Sequence, residues 1–245
     1  YSLNLIVLSL FITPAVYIFR KSKKEIGICI CFLILPILFF IHGVMQKEKF
    51  LSKKDIENPY IIRIISSNIE IEKYNNEEET EKVINELINI SSPQEDEKIF
   101  FLWPEAIIPN VYQDEVYLYN DLFSKKFHKN HLIGLGAIKR ELKDDKYKYF
   151  NSFSIFDKNL NLLHNYNKNK LVPFGEFLPL ENLLNKLGLR TITNNFGSFT
   201  KGEKRDIIEL GDKTNNFSFL PLICYEIIYS GELTKNFKFD FILNI

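Results

Sequence analysis

The chain has 245 residues, 46% hydrophobic and 25% charged, and its 31 basic and 31 acidic side chains cancel to a formal net charge of zero. That balance offers no basic surface for nucleic acid. With no phosphate-cradling glycine run and no pair of histidines at metal spacing, nucleotide and metal chemistry find no support and no cofactor is implied. The apolar excess is uneven, concentrated in the first 45 residues, and the remainder is long enough for one domain.

Residues 3–19, LNLIVLSLFITPAVYIF, carry no charge, and neither do residues 26–45, IGICICFLILPILFFIHGVM. As helices they would measure roughly 26 Å and 30 Å, against a hydrocarbon core of about 30 Å. Two transmembrane helices are therefore expected over residues 1–45, with Pro14 and Pro36 tolerated as in other membrane spans. RKSKK, residues 20–24, is a short basic loop of the kind retained in the cytoplasm, which directs residue 46 onward to the outer face. A signal-peptide core is the other reading of the first segment, but no basic stretch precedes it and no small-residue cleavage site follows. A chain that opens on Tyr1 straight into a span is expected to be part of a longer one.

A polar linker covers residues 46–58, and residues 59–245 then read as an α/β domain. YIIRIISSNIEI, residues 60–71, has the β-branched richness of a strand. In NNEEETEKVINELINISS, residues 75–92, Val83, Ile84, Leu87 and Ile88 share one face of a helix. KIFFLWPEAIIP, residues 98–109, is an apolar run stopped by Pro104. Strand, helix, strand is an α/β unit. HLIGLGAIKREL and KYFNSFSIFD are two further strands joined by a charged turn at Asp144 and Asp145. KNLNLLHNYNKNKLVPFGEFLPLENLLNKLG, residues 158–188, opens as a turn and leads to a helix starting near Leu180. DIIEL, FSFLPLIC and the final FDFILNI are strand-like, with a short helix at YEIIYSGEL between the last two.

Cys29 and Cys31 lie in the second apolar segment, two apart and so on different helix faces, which leaves Cys224 as the one thiol outside it. A cysteine closing an apolar strand is usually inert filling. At a strand-to-helix junction, however, free N–H groups and the helix dipole favour its thiolate. A nucleophile needs a base and an oxyanion partner. Glu105 stands just past one apolar strand and Lys168 in a loop stiffened by Pro173, both at strand ends where catalytic groups of α/β folds gather. Taken singly, each has a plain reading as a solvated carboxylate and a surface lysine; together they could act as base, oxyanion partner and nucleophile.

The strings FLWPEAIIP, YNKNKLVPFGEFLPLE and LICYE, in this order behind apolar helices, resemble the apolipoprotein N-acyltransferase family of the nitrilase (carbon–nitrogen hydrolase) superfamily. The resemblance runs from about residue 61 to residue 245. It implies a nitrilase-like αββα sandwich preceded by transmembrane helices, in the bacterial inner membrane with the catalytic domain on the periplasmic face. It implies Glu105 as general base, Lys168 as support for the tetrahedral intermediate and Cys224 as nucleophile. Glu176, Tyr225 and Glu226 match positions that shape the site, and YFNSFSIFD matches a strand read as scaffold. The implied partners are the membrane, a phospholipid acyl donor and a diacylglyceryl-cysteine lipoprotein acceptor, joined by a ping-pong transfer through a Cys thioester. A membrane-anchored amidase using the same three residues, with water as acceptor, and an inactive scaffold of the same fold are the alternatives.

The chain also departs from the family pattern. SSNIEIEKY stands where the family has a Gln-Gly-Asn-Ile-Pro stretch followed by Trp, with Tyr74 in the Trp place as a substrate-contact candidate. Thr200 and Lys201 replace a Ser-Pro pair. The family continues past FILNI, so the C-terminal part of the catalytic domain is expected to be missing and the 245 residues alone to be inactive.

Overall fold

The computed structural model describes residues 2–52, 60–67, 69, 79–180, 198–211, 216–229 and 238–245. Tyr74 and the helix expected beyond Leu180 lie outside them. The chain divides into two units, Tyr1–Glu57 and Asn58–Ile245.

The first unit is a hairpin of α1 (Ser2–Ile18) and α2 (Lys23–Leu51), closed by the basic loop. Glu25, in the first turn of α2, accepts the Lys21 N–H at 2.7 Å. Cys29 and Thr13 are buried where the helices meet, with the Cys29 sulfur 3.8 Å from the Thr13 carbonyl oxygen. Most other apolar side chains here are exposed, Phe11, Phe19 and Phe40 each by more than 70%. Pro14 and Pro36 lie inside the helices, as expected. The helix α2 continues to Leu51, through six residues of the expected linker. QKEKFL contains no Gly or Pro and mostly good helix formers, so nothing stops the helix at residue 45. Among the described helices α2 is long and apolar enough to cross a membrane; residues Ile6–Ile18 form a shorter apolar helix.

In the second unit β1 (Ile61–Ile64), β2 (Ile99–Leu102), β3 (His131–Lys143), β4 (Lys146–Phe156) and β5 (Leu162–Asn167) form one sheet in chain order. The first three are parallel, the last three antiparallel. Asp144 and Asp145, both at positive φ, make the two-residue turn between β3 and β4, the backbone that matches strand twist in a tight hairpin. A second sheet, β6 (Ile208–Gly211), β7 (Asn216–Leu222) and β8 (Phe241–Asn244), pairs β7 antiparallel to β6 and parallel to β8.

Strand alternation sorts the side chains into two cores. Ile99, Phe101 and Trp103 face α3 (Thr80–Ser91), whose Val83, Ile84, Leu87 and Ile88 are buried against them. Phe100 and Leu102 point the other way and pack with Phe153, Ile155 and Tyr166 against Phe217, Phe219 and Leu243 of the second sheet. Since both faces of β2 are covered, its sequence is continuously apolar. The described residues of the second unit thus form three layers, helix on sheet on sheet. An α4 helix (Asn120–Ser124) and a 3-10 segment, Gln113–Tyr119, link β2 to β3.

The strand β5 was not expected, because LLHNYN reads as turn. Its Asn165 and Asn167 are held on the outer face by Ser154 and Ser152 of β4 and by Gln113, at 2.7 to 2.9 Å. Side-chain pairing thus offsets the poor strand propensity of asparagine.

Candidate active site

Glu105 is placed by the way β2 ends. The Trp103 N–H donates to the Gly134 carbonyl at 2.8 Å, Pro104 then ends the ladder, and Ala106 takes a left-handed φ of 48°. The turn lies so close to β3 that a Cβ on Gly136 would stand 2.6 Å from the Glu105 Cα.

Lys168 follows β5 directly, opposite Asn151 of β4, and its N–H donates to the Asn151 carbonyl at 2.8 Å. Alternation puts both side chains on the inner face, with Phe153 and Ile155. The Lys168 side chain is 1% exposed and its ammonium donates to Glu176 Oε1 at 2.8 Å. Glu176 reaches it because the PFGE turn folds back: the Glu176 N–H donates to the Val172 carbonyl, and the Val172 N–H to Glu176 Oε2 at 2.9 Å. Asn151 Nδ2 donates to Glu105 Oε1 at 2.6 Å and to Glu176 Oε1 at 3.0 Å.

Cys224 stands at the exit of β7 with φ 52°, and its N–H donates to the Ile245 carbonyl at 2.7 Å. A non-glycine residue in the left-handed region is strained by about 1–2 kcal/mol, a feature of sharp turns at functional sites. The described part of the expected helix is a short 3-10 segment, Cys224–Ile228. Too short to carry much dipole, it supports the thiolate through the Tyr225 N–H alone. Burial pushes the thiol up from its ordinary value, the nearby Glu105 carboxylate pushes it further, and the Lys168 ammonium and the Tyr225 N–H oppose them. A carboxylate facing a neutral thiol can act as its base.

Glu226 is fully buried and organises the surroundings of the thiol. It accepts from the Tyr166 hydroxyl at 2.9 Å, from the Asn169 and Lys170 N–H groups at 2.9 and 2.8 Å, and from the Ile223 N–H at 3.0 Å. The carboxylate therefore ties the loop after Lys168 to the turn that carries Cys224. Arg205 adds a cation 3.5 Å away. Burial, then the Glu226 charge, pushes the Tyr166 phenol far above its ordinary value. Tyr225 is 57% exposed, and its backbone N–H faces the thiol.

Of the seven residues singled out from sequence, Glu105, Lys168, Cys224, Glu176 and Glu226 thus converge, Tyr225 contributes its N–H, and Tyr74 is not described. Asn151, Tyr166 and Gly136 were missed. A buried asparagine inside a strand of apolar and aromatic residues was the available signal for the first.

Beside the Lys168 loop lies a cavity of about 430 Å³, walled by Leu171, Phe177, Leu178 and Phe199 and flanked by Lys170 and Lys201.

No family model matches the chain. Among curated proteins, it is 32% identical over 230 residues to the apolipoprotein N-acyltransferase of Wigglesworthia glossinidia brevipalpis, covering 86% of this chain and 42% of that protein. The apolipoprotein N-acyltransferase of Brucella suis biovar 1 is 30% identical over 189 residues, covering 73% of this chain and 34% of that protein. The chain is a relative of the apolipoprotein N-acyltransferases. It spans well under half the length of these curated family members. Among solved structures, an amidase of the nitrilase superfamily from Nesterenkonia overlaps 71% of the chain and 59% of its own, at 12% identity and a TM-score of 0.44. The glutamine-dependent NAD+ synthetase of Acinetobacter baumannii overlaps 69% of the chain and 29% of its own, at 17% identity and a TM-score of 0.42.

Proposed function

We propose that the chain carries the acyl-transfer centre of a lipoprotein N-acyltransferase. In the first half-reaction the Cys224 sulfur attacks an ester carbonyl of a phospholipid while Glu105 takes the thiol proton. The C–O bond breaks, the lysophospholipid alkoxide leaves with that proton, and a thioester remains. In the second, the N-terminal amine of a diacylglyceryl-cysteine lipoprotein attacks the thioester. Glu105 takes the amine proton and returns it to the departing sulfur, so protons balance over the cycle. Lys168 faces the carbonyl oxygen as it becomes negative in each half.

The single observation that carries this reading is the chain of contacts from Lys168 through Glu176 and Asn151 to Glu105, ending at the Cys224 thiol. The same three groups would serve an amidase. The exposed apolar hairpin and the apolar cavity flanked by two lysines favour a lipid donor with a phosphate. In this reading both α1 and α2 cross the inner membrane, α1 by modest local thinning, and the basic loop faces the cytoplasm. Residues 59–245 then form the catalytic domain on the periplasmic face, part of a nitrilase-like αββα sandwich.

Intact-protein mass spectrometry of the full-length protein, after incubation with phospholipid and no acceptor, tests the reading. A hydroxylamine-sensitive, acyl-sized mass increase that is lost in Cys224→Ser is expected. An unmodified protein, with phospholipid presented in mixed micelles, would exclude the phospholipid as acyl donor.

A further inference from the structure

Asn151 is 8% exposed, in a strand whose same-face neighbours Phe153 and Ile155 are almost fully buried. An apolar β-branched residue would suit β4 better, and a buried carboxamide is costly unless its donors are used. Both donors are used on one pair of groups: Nδ2 meets Glu105 Oε1 at 2.6 Å and Glu176 Oε1 at 3.0 Å. The amide orientation follows from chemistry, since two carboxylate oxygens at that point can receive N–H but would repel Oδ1. Glu176 is already held by Lys168 and by the Val172 N–H, so it is the fixed end of the bridge. Among the hydrogen bonds described, Asn151 makes the short contact that anchors the Glu105 side chain.

We propose that Asn151 is a positioning residue, whose amide bridges Glu176 to Glu105 and so fixes the carboxylate that faces the Cys224 thiol. The charged groups facing that thiol are the Glu105 carboxylate and the Lys168 ammonium, with the Tyr225 N–H as a third polar neighbour. Asn151 touches the first of these and shares Glu176 with the second. The purpose of holding Glu105 rests on the acyl-transfer reading; the coupling itself does not.

The test is therefore read on the thiol. Alkylation of Cys224 by iodoacetamide, resolved from Cys29 and Cys31 by peptide mass spectrometry, is followed against pH in the native chain, Asn151→Ala, Glu105→Gln and the double variant. Asn151→Ala is expected to displace the alkylation midpoint by about half a unit or more, and to leave it in place when Glu105 is already Gln. An undisturbed midpoint, or an equal displacement in both backgrounds, would make Asn151 a packing residue and overturn the proposal. Should Asn151→Ala lose cooperative melting, the uncharged and similarly sized Asn151→Leu, judged by the same comparison, replaces it. Thioester formation by the native full-length protein is measured alongside. Its absence together with a Glu105-dependent displacement sinks the acyl-transfer reading and leaves the positioning role standing.

Discussion

The Lys168 ammonium and the Glu176 carboxylate are held 2.8 Å apart, with 1% and 13% of their side chains exposed. A buried ion pair adds little net stability over an apolar pair, but removing one member strands the other. Lys168→Met is accordingly expected to cost about 3–5 kcal/mol in chemical denaturation and to abolish thioester formation. Lys168→Met combined with Glu176→Gln should recover much of the stability and none of the activity. If the double variant regains acylation, the lysine has no chemical role.

Glu226 has no contact with the thiol among its hydrogen bonds, yet its carboxylate collects N–H groups from the Lys168 loop and from Ile223, just before Cys224. Glu226→Gln would turn one acceptor into a donor among donors. A loss of about 2–4 kcal/mol is expected, since buried hydrogen bonds to charge are worth more than neutral ones. Tyr166→Phe removes one donor only and should cost about 1 kcal/mol. Equal melting temperatures for Glu226→Gln and the native chain would exclude this organising role.

How much of this was legible in sequence depended on whether a residue's role was local. The face of α3 and the exit of Glu105 from β2 follow from spacing and from Pro104, and both stand as expected. The strand β5 was missed because Asn165 and Asn167 are poor strand formers in isolation; the donors to their side-chain oxygens, supplied by Ser152, Ser154 and Gln113, are distant in sequence. Asn151 passed as scaffold for the same reason, since Glu105 is 46 positions away. The Cys224 turn misled in another way. Its apolar residues fit a helix start, but the short 3-10 segment described there gives too little dipole to offset burial and the Glu105 charge.

Two groups at the candidate site link stability to alkaline pH. The Cys224 thiol is raised from its ordinary 9.0 chiefly by burial, and the Tyr166 phenol is raised from 10.0 by burial and the Glu226 charge. The folded chain therefore keeps these protons at a pH where the unfolded chain releases them, so unfolding gains free energy as pH rises past about 9. Their stabilising contribution is complete below that pH and declines through the alkaline range. Melting temperature should fall from about pH 9 upward, and Tyr166→Phe should flatten the decline above pH 10. A slope unchanged in Tyr166→Phe would remove the phenol from this account.

The Glu105 turn rests against β3 at Gly136, where a Cβ would come 2.6 Å from the Glu105 Cα and 3.0 Å from the Ala106 nitrogen. Both contacts are backbone, so no side chain can swing aside and the turn itself has to move. Gly136→Ala is expected to destabilise by about 1–3 kcal/mol, as overpacking generally does. Its effect on thioester formation should be larger than that loss implies, because the displaced group is the proposed base and a shift of about 1 Å costs on the order of 100-fold in rate. Gly134→Ala makes a useful comparison: its Cβ would meet the Phe153 and Phe100 rings at 2.8 to 3.0 Å, away from Glu105. That variant should lose stability while the folded fraction acylates normally. If the folded fractions of both variants acylate at the native rate, the close seating of the Glu105 turn is a matter of packing alone.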